Sequence, residues 1–253
     1  MSDLSDPFFM PSTLQSPHTT GVFTMSEKSL RCEPGCRSCG MRDSVLFAGL
    51  DEALLDEIQE NIDDLLIPPG QSVYRMGSPG TAAFTLRAGV VKLVQYLPDG
   101  AHRIVRLVRP TDVFGLEALI GQRYQHDAIV VQRALLCRLP SAVLTRLDRD
   151  NPGLHQELMR RWHHALSEAD AWLTELSTGS AHHRVVRLLL RLVDERGVGL
   201  CPLFSRKDMG AMLGITTESA SRAVADLKRK GILTESAQAF SCDPAALKQL
   251  SVD

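Results

Sequence analysis

Apolar and polar residues alternate in short runs through the middle of the chain. Between about residues 67 and 140, frequent glycines interrupt these runs, which is typical of strands joined by turns. The segments 90–96 and 104–109 alternate with period two on either side of a Pro-Asp-Gly turn at 98–100, a pattern that predicts a β-hairpin. Many short strands at close spacing favour a barrel or a jelly roll.

Helical spacing flanks this strand-rich region on both sides. Before it, apolar residues three or four positions apart predict a short helix over 51–66. After it, a longer stripe predicts a helix over 151–177, and a further stripe predicts a helix over 181–196. The longer stripe consists of Leu154, Leu158, Trp162, Ala165, Ala169, Trp172 and Leu176. It is long enough to form a coiled-coil seam between two subunits, although a helix packed only on its own domain has the same pattern.

The C-terminal part of the chain has the pattern of two helices joined by a tight turn. Ser205 is a candidate cap for a first helix, and Gly214 closes it. Thr216 or Thr217 can cap a second helix, which runs to about Lys230. Helix, glycine turn and helix in this order predict a helix-turn-helix, although the same arrangement also occurs as plain structure.

The charge of the chain favours a nucleic-acid partner only in this segment. The whole chain has a formal net charge of −2, whereas residues 205–233 contain six Lys and Arg against three Asp and Glu. Glu218, Ser221 and Arg222 share one face near the start of the second helix, the end that enters the major groove of DNA. Glu can accept from cytosine, Arg can donate to guanine, and Ser can do either; a capping Glu beside a surface Arg is the alternative.

The chain contains six cysteines. It has no apolar run long enough to cross a membrane and no secretory signal, so we expect a cytoplasmic protein without membrane contact, whose thiols stay reduced. Cys32, Cys36 and Cys39 form a compact group and Cys137 lies far from it, whereas Cys201 and Cys242 are interpreted as isolated thiols. Four thiolates can bind a [4Fe–4S] cluster. A zinc site, a thiol–disulfide switch and the absence of any metal are the alternatives.

The run Glu-x-x-Ser-Arg at 218–222 resembles the recognition-helix signature of the FNR branch of the CRP/FNR (cyclic-AMP-receptor) transcription regulator superfamily. The resemblance extends from about Cys32 onward and includes the turn at 112–116, the long helix and the helix-turn-helix. It implies an α+β fold with an N-terminal cyclic-nucleotide-binding-like β jelly roll, a long dimerisation helix and a C-terminal winged helix-turn-helix.

The same resemblance implies partners and a domain order. A homodimer would bind double-stranded DNA at two-fold symmetric sites with half-sites resembling TTGAT, which Glu218, Ser221 and Arg222 would read, and RNA polymerase would be a further partner. The predicted segments are a disordered N-terminal segment over 1–31, a cysteine cluster segment over 32–45, a sensor domain over 46–150, a dimerisation helix over 151–177 and a winged helix-turn-helix domain over 178–250. Met25 is an alternative start to Met1.

The resemblance also assigns the cysteines, with one departure. Cys36 and Cys39 match the first two cluster ligands, and Cys137 matches the distant ligand that precedes a similar Leu-Pro. The usual third ligand falls at Val45, whose side chain cannot bind iron, so Cys32 has to be recruited in its place. We expect oxygen to destroy such a cluster and to loosen the dimer.

Other signals and functions fit the residues less well. Cyclic-nucleotide binders of this superfamily hold the phosphate with an Arg followed by Ser or Thr, and the matching place here is His126-Asp127, whose carboxylate would repel a phosphate. We therefore expect no cyclic nucleotide. A small ligand in the barrel and a constitutive DNA-binding protein remain alternatives. The chain has no nucleotide-phosphate loop and no triad, so we do not expect an enzyme.

Overall fold

A computed structural model describes residues 60–150, 152–193, 199–237 and 239–251 of the chain. The N-terminal segment, the cysteine cluster segment with Val45, and most of the helix predicted over 51–66 lie outside the described residues. Within them, strands come first, two helices follow, and a smaller unit of helices and short strands completes the chain. Among the described residues, no helix combines the length and the apolar character that crossing a membrane requires.

Six antiparallel strands form the N-terminal sheet. They are β1 (Asp63–Ile67), β2 (Ser72–Tyr74), β3 (Ala82–Tyr96), β4 (His102–Val108), β5 (Val113–Phe114) and β6 (Asp127–Pro140). The long strands β3 and β6 pair with each other at the centre, with β4 beside β3 and β1 beside β6. Alternate side chains of these strands bury an apolar core that includes Leu86 and Leu136, which face each other across the central pair. The layout agrees with the predicted jelly roll.

The hairpin predicted between 90 and 109 is confirmed. Strands β3 and β4 pair from Tyr96 opposite His102 to Val91 opposite Val108, and Gly100 takes a positive φ of 80° in the turn between them. The helix predicted over 51–66 is wrong at its end, because residues 63–67 form β1. The backbone of this segment pairs with β6, and that long-range pairing outweighs the helical spacing of its apolar residues.

Two helices connect the sheet to the C-terminal unit. Helix α1 (Ser141–Asp150) follows β6 directly, and helix α2 (Pro152–Leu176) matches the helix predicted over 151–177. The predicted stripe on α2 is divided between two environments. Leu154, Leu158 and Leu176 are buried in the chain's own core, whereas Trp162 is exposed. The buried members of the stripe therefore pack within the subunit and are not available as a seam.

The C-terminal unit surrounds a helix-turn-helix with a small sheet. It contains α3 (Ala181–Leu192), β7 (Leu200–Pro202), α4 (Arg206–Leu213), α5 (Thr217–Arg229), β8 (Leu233–Glu235), β9 (Ala239–Cys242) and α6 (Pro244–Leu250). The three strands form an antiparallel sheet in the order β7-β9-β8. Helix α3 ends at Leu192, before the end predicted at 196. A strand pair beside two helices is the wing expected of a winged helix-turn-helix.

The C-terminal unit packs against the first sheet. The Lys92 ammonium on β3 lies 2.6 Å from the Asp208 carboxylate on α4, and both side chains are only 16% exposed. The Trp172 indole on α2 donates to the Met212 carbonyl at 3.4 Å. Val94 of β3 and Ile104 of β4 join the apolar cluster of the C-terminal unit. The helix-turn-helix is thus held against the β3–β4 hairpin by one ion pair and shared apolar packing.

Candidate DNA interface and sensor site

The turn between α4 and α5 is built as the sequence predicts. The Ser205 hydroxyl accepts from the Asp208 N–H at 3.0 Å and caps α4. Gly214 ends α4 in the left-handed region with φ of 65°, a conformation that favours glycine. The Thr216 hydroxyl then accepts from the Ser219 N–H at 3.1 Å, so Thr216 rather than Thr217 caps α5. These local bonds fix the direction of the second helix relative to the first.

Helix α5 buries one face and exposes the other. Ala220, Val224 and Leu227 point into the core of the unit, as predicted. On the opposite side, Glu218 and Arg222 form an ion pair of 2.9 Å with side chains 76% and 73% exposed. An exposed pair one helical turn apart is held weakly by its own charges. Each of the two side chains can therefore give up this ion pair and bind the edge of a base instead.

Ser221 lies on the same side of α5 as the exposed ion pair. Its hydroxyl donates to the Thr217 carbonyl at 2.8 Å, within the helix. The hydroxyl oxygen retains lone pairs and can still accept a hydrogen bond. The structure thus brings the three predicted reading residues, Glu218, Ser221 and Arg222, to one surface of one helix.

The positive charges near the end of α5 are largely paired within the protein. Asp226 accepts from Lys230 at 2.9 Å and from Arg229 at 3.0 Å, and these bonds lower the pKa of its carboxyl to about 2. Lys228 contacts Glu235 of β8 at 3.1 Å. The ammonium and guanidinium groups of these side chains stay exposed, so they can still approach phosphates. Their internal pairing orients them around the C-terminal end of the helix.

Cys137 is the predicted cluster cysteine that lies within the described residues; Cys32, Cys36 and Cys39 lie outside them. Its half-buried side chain is on β6, where residue 137 faces Asp64 of the neighbouring strand β1. The Cys137 thiol donates to the Asp64 carboxylate at 3.6 Å, and Arg87 donates to the same carboxylate at 3.1 Å. The guanidinium offsets the charge of the carboxylate that the thiol contacts.

A metal site at Cys137 needs ligands from elsewhere in the chain. In the described parts, no three His, Cys, Asp or Glu side chains cluster closely enough to hold a metal ion. The sulfur of Cys137 is a ligand type that suits an iron–sulfur cluster, and its side chain is half-buried on β6. Asp64 and Arg87 are the neighbours that sequence reasoning missed. They lie 73 and 50 positions from Cys137, and no local spacing connects them.

A cavity of about 320 Å³ lies between the first sheet and α2. Its walls are mainly apolar, with Arg106, Glu117 and His126 as its charged or titratable residues. The Tyr74 side chain also lines it; this residue is 7% exposed and its hydroxyl has no hydrogen-bond partner. Burial raises the pKa of Tyr74 well above its ordinary value, so the hydroxyl stays protonated. The Tyr74 hydroxyl is thus an unpartnered donor in a mainly apolar part of the cavity wall.

Two polar residues beside this cavity are already engaged. Burial raises the pKa of Glu117, but its contacts with the His126 side chain and the Gln125 N–H outweigh burial and lower the pKa overall. The Asp127 carboxylate accepts from the Met76 N–H at 2.7 Å and from the Tyr96 hydroxyl at 3.2 Å. The region that would have to attract a phosphate therefore carries two carboxylates.

The two cysteines of the C-terminal unit are not isolated, contrary to the sequence interpretation. Cys201 on β7 and Cys242 on β9 bring their sulfur atoms to 3.8 Å. The two residues are 41 positions apart, and only the pairing of β7 with β9 places them together.

Two parts of the chain match models of known families. Residues 65–151 match the cyclic nucleotide-binding domain, and residues 183–250 match the Crp-like helix-turn-helix domain. The first match covers most of the sheet and α1. The second begins in α3 and ends in α6.

Relatives match over most of the chain. It is 25% identical over 228 residues to the anaerobic regulatory protein of Pasteurella multocida, covering 87% of this chain and 84% of that protein. It is 28% identical over 223 residues to the nitrogen fixation regulation protein FixK of Bradyrhizobium diazoefficiens, covering 85% and 93%. The solved structure of FixK2 from Bradyrhizobium japonicum is similar with a TM-score of 0.67 and 25% identity, over 75% of this chain and 96% of that one.

Proposed function

The chain belongs to the CRP/FNR family of transcription regulators, and on that premise we propose that it is an oxygen- or redox-responsive regulator that binds two-fold symmetric DNA sites as a homodimer. The observation that carries this proposal is the capped second helix of the helix-turn-helix, which exposes Glu218, Ser221 and Arg222 on one face. The family and its Crp-like helix-turn-helix domain make the chain a DNA-binding transcription regulator and not an enzyme.

The reading face has the chemistry to distinguish base pairs. Arg222 can donate two bonds to the O6 and N7 atoms of guanine, and Glu218 can accept from the amino group of cytosine. Both groups leave their mutual ion pair to do so, which costs little because the pair is exposed. Ser221 lies between them and can serve either neighbour.

The homodimer is supported by an apolar row on α2. Met159, Trp162, Leu166 and Leu173 are separated by three, four and seven positions and are 46%, 39%, 60% and 66% exposed. This spacing is that of a coiled-coil seam. The row differs from the predicted stripe, since it shares only Trp162 with it. Two copies of α2 packed along this row would place two recognition helices on successive major grooves, about 34 Å apart.

The dimer has a direct test on α2. Replacing Leu166 and Leu173 together by Ser should weaken self-association and DNA affinity while leaving each subunit folded, because both side chains are exposed. Sedimentation velocity gives the oligomeric state, and circular dichroism reports the fold. Substitution of Leu200, which is 46% exposed outside α2, by Ser is the matched control. A double variant that remains dimeric would refute this seam.

For the sensor, we propose that Cys32, Cys36, Cys39 and Cys137 bind one [4Fe–4S] cluster per subunit. The half-buried thiol of Cys137 supports this assignment, as does the name of the Pasteurella relative, an anaerobic regulatory protein. Such a cluster would supply the chemistry that reacts with oxygen. The contribution of Cys137 itself would be to anchor the N-terminal cysteines to β6, one of the two central strands of the sheet.

Anaerobic purification tests the sensor. The wild-type protein should carry about four irons per chain and a broad visible absorption that fades in air. Cys137→Ser should abolish the iron, and Cys32→Ser should do the same if Cys32 replaces the ligand missing at Val45. Cys201→Ser is the control and should keep it. If protein purified without oxygen contained zinc in place of iron, the sensor would use zinc or thiol chemistry instead of a cluster. The proposed DNA-binding role would not be affected.

A second candidate for the signal is a small ligand in the cavity beside α2. The unpartnered Tyr74 hydroxyl in an apolar pocket favours it. Cyclic AMP should not raise the melting temperature of the iron-free protein, because Glu117 and Asp127 oppose a phosphate there. A clear stabilisation by cyclic AMP that Tyr74→Phe reduces would instead assign the cavity as the effector site.

A further inference from the structure

The C-terminal unit contains a thiol pair that neither DNA reading nor the proposed cluster uses. Cys201 lies opposite Phe240 in the antiparallel pairing of β7 with β9, so Cys242 follows two positions later on the same face. The two sulfur atoms are 3.8 Å apart, within reach of an S–H···S hydrogen bond. The residues are only 3% and 7% exposed.

The backbone holds the two thiols together. Just before β7, the Gly199 carbonyl accepts from the Cys242 N–H at 2.7 Å. A Cβ at Gly199 would lie 2.1 Å from the Cys242 carbonyl oxygen, so this close approach requires glycine, which also has a positive φ of 72°. The two strands therefore cannot separate at this end without breaking their shared bonds.

The two thiols are chemically unequal. The hydrogen bond from the Cys201 thiol lowers the pKa of Cys242, and the same bond, together with burial, raises the pKa of Cys201. Of the two thiols, Cys242 is the one that loses its proton more readily. Two adjacent thiols of unequal pKa form an oxidisable pair, in which one sulfur reacts with the oxidant and the second sulfur resolves the first product.

We propose that Cys201 and Cys242 are an oxidation site, at which a hydroperoxide converts the two thiols into a reversible disulfide within one subunit. In the first step the Cys242 thiolate attacks one peroxide oxygen; the O–O bond breaks, hydroxide leaves, and a sulfenic acid forms. In the second step the Cys201 sulfur attacks the Cys242 sulfur, and water leaves with the Cys201 proton. The hydroxide takes up the proton that Cys242 lost on ionisation. The two sulfurs thus lose two electrons in total, and hydrogen peroxide is reduced to two waters. A thiol such as dithiothreitol reverses the change by exchange.

The disulfide would change the DNA-binding unit directly. The closed loop contains α4, α5 and β8, which are the whole helix-turn-helix and part of the wing. A disulfide needs the sulfur atoms about 2.05 Å apart instead of 3.8 Å, so we expect the two side chains and the strands that carry them to shift. Because β9 pairs with β8, which follows the recognition helix, this shift reaches α5. We expect the oxidised protein to bind its DNA about threefold or more weakly.

The test is disulfide mapping of the full-length protein. Reduced protein freed of dithiothreitol is treated with hydrogen peroxide and blocked with an alkylating agent, and its peptides are identified by mass spectrometry. The expected result is a Cys201–Cys242 cross-link in the wild type and in Cys137→Ser, which dithiothreitol removes. Finding both thiols alkylated at a peroxide dose that oxidises Cys137 would overturn the proposal, as would cross-links of either cysteine to other partners.

DNA binding tests the consequence separately. Fluorescence anisotropy at fixed salt compares reduced and oxidised protein, with Cys201→Ala as a variant that cannot form the bond. The wild type should lose affinity on oxidation and recover it with dithiothreitol, whereas the loss should be smaller in Cys201→Ala. Equal losses in both proteins, or a cross-linked wild type of unchanged affinity, would refute the regulatory role. The mapping on the wild type stays decisive even if Cys201→Ala folds poorly.

Discussion

The proposed DNA-reading face and the surroundings of Cys137 differ in how far apart along the chain their residues lie. Glu218, Ser221 and Arg222 fall within five positions of one helix, whereas Cys137 contacts Asp64 from 73 positions earlier. The first site therefore needs only a correctly capped helix, and its side chains are exposed. The second site needs the whole sheet to be in register. A substitution in the first site should change the affinity for DNA alone. A substitution near the second site should change the stability of the fold.

The largest expected effect is on DNA affinity and comes from Arg222→Ala. Loss of a bidentate base contact costs about 1–3 kcal/mol, so two subunits together should lose about 2–6 kcal/mol of binding free energy. The melting temperature should stay unchanged, because the side chain is 73% exposed. Anisotropy titrations at fixed salt with variant DNA sites measure both affinity and sequence preference.

Arg229→Ala is the matched control on the same helix. Its guanidinium is also exposed, but it lies at the other end of α5 and pairs with Asp226. This variant should weaken binding to all sequences about equally. If instead Arg229→Ala relaxed sequence preference and Arg222→Ala did not, the assignment of the reading face would be wrong.

Leu136→Ala in the sheet should have the opposite effect, because it should lower the stability of the fold rather than change a contact with DNA. Leu136 is fully buried on β6 between Leu65 of β1 and Leu86 of β3. Truncation should lower the free energy of unfolding by about 2–5 kcal/mol through lost burial and a residual cavity. Urea unfolding followed by circular dichroism measures the change, with Leu97→Ala in the exposed hairpin turn as the control. Equal stabilities of the two variants would contradict the central position of Leu136.

A smaller effect on stability is expected where the first sheet meets the C-terminal unit, at the ion pair between Lys92 and Asp208. Lys92→Ala leaves a mostly buried carboxylate without its ammonium partner and should cost about 1–3 kcal/mol of unfolding free energy. Adding Asp208→Ala should restore part of that loss, because the unpaired charge is then removed. A double variant whose cost is the simple sum of the two single costs would show that the pair does not couple the units.

The smallest effect is a pH dependence at Asp226. Bonds from Lys230 and Arg229 lower the pKa of its carboxyl to about 2 in the folded state. Since the folded pKa lies below the unfolded value of about 3.9, the stabilisation is present above about pH 4 and is lost as the pH falls toward 2. Melting temperatures of wild type and Asp226→Asn should therefore differ at pH 7 and converge below pH 4. Asp170→Asn, an exposed change on α2, is the control and should show no such convergence.

The structure bears out the sequence predictions that rest on neighbouring residues. Ser205, Gly214 and Thr216 set the helix boundaries through bonds that span three or four positions, and their residue types alone predict those bonds. The hairpin at 90–109 was equally predictable, because its turn residues and its alternation lie in one continuous stretch. The reading face follows from the same local spacing.

The predictions that failed concern contacts between distant parts of the chain. Residues 63–67 have helical spacing, yet pairing with β6 makes them a strand. The sequence left open whether the predicted stripe on α2 packs on its own domain or on a second subunit. Leu154 and Leu158 pack on their own domain, and their burial depends on residues far along the chain. The heptad spacing of Met159, Trp162, Leu166 and Leu173 is also present in the sequence. Because the same helix carries a second apolar row, only the exposure of these side chains in the structure distinguishes the two rows.

By itself, the sequence determined the helix-turn-helix, the residues on its exposed face and the order of sheet, long helix and DNA-binding unit, since each depends on side chains within a turn or two of one another. Only the tertiary structure decided that Asp64 and Arg87 border Cys137, that Lys92 binds Asp208, and that the sulfurs of Cys201 and Cys242 touch. Strand register and domain packing create these contacts. They join residues 41 to 116 positions apart, and no periodicity in the chain encodes such distances.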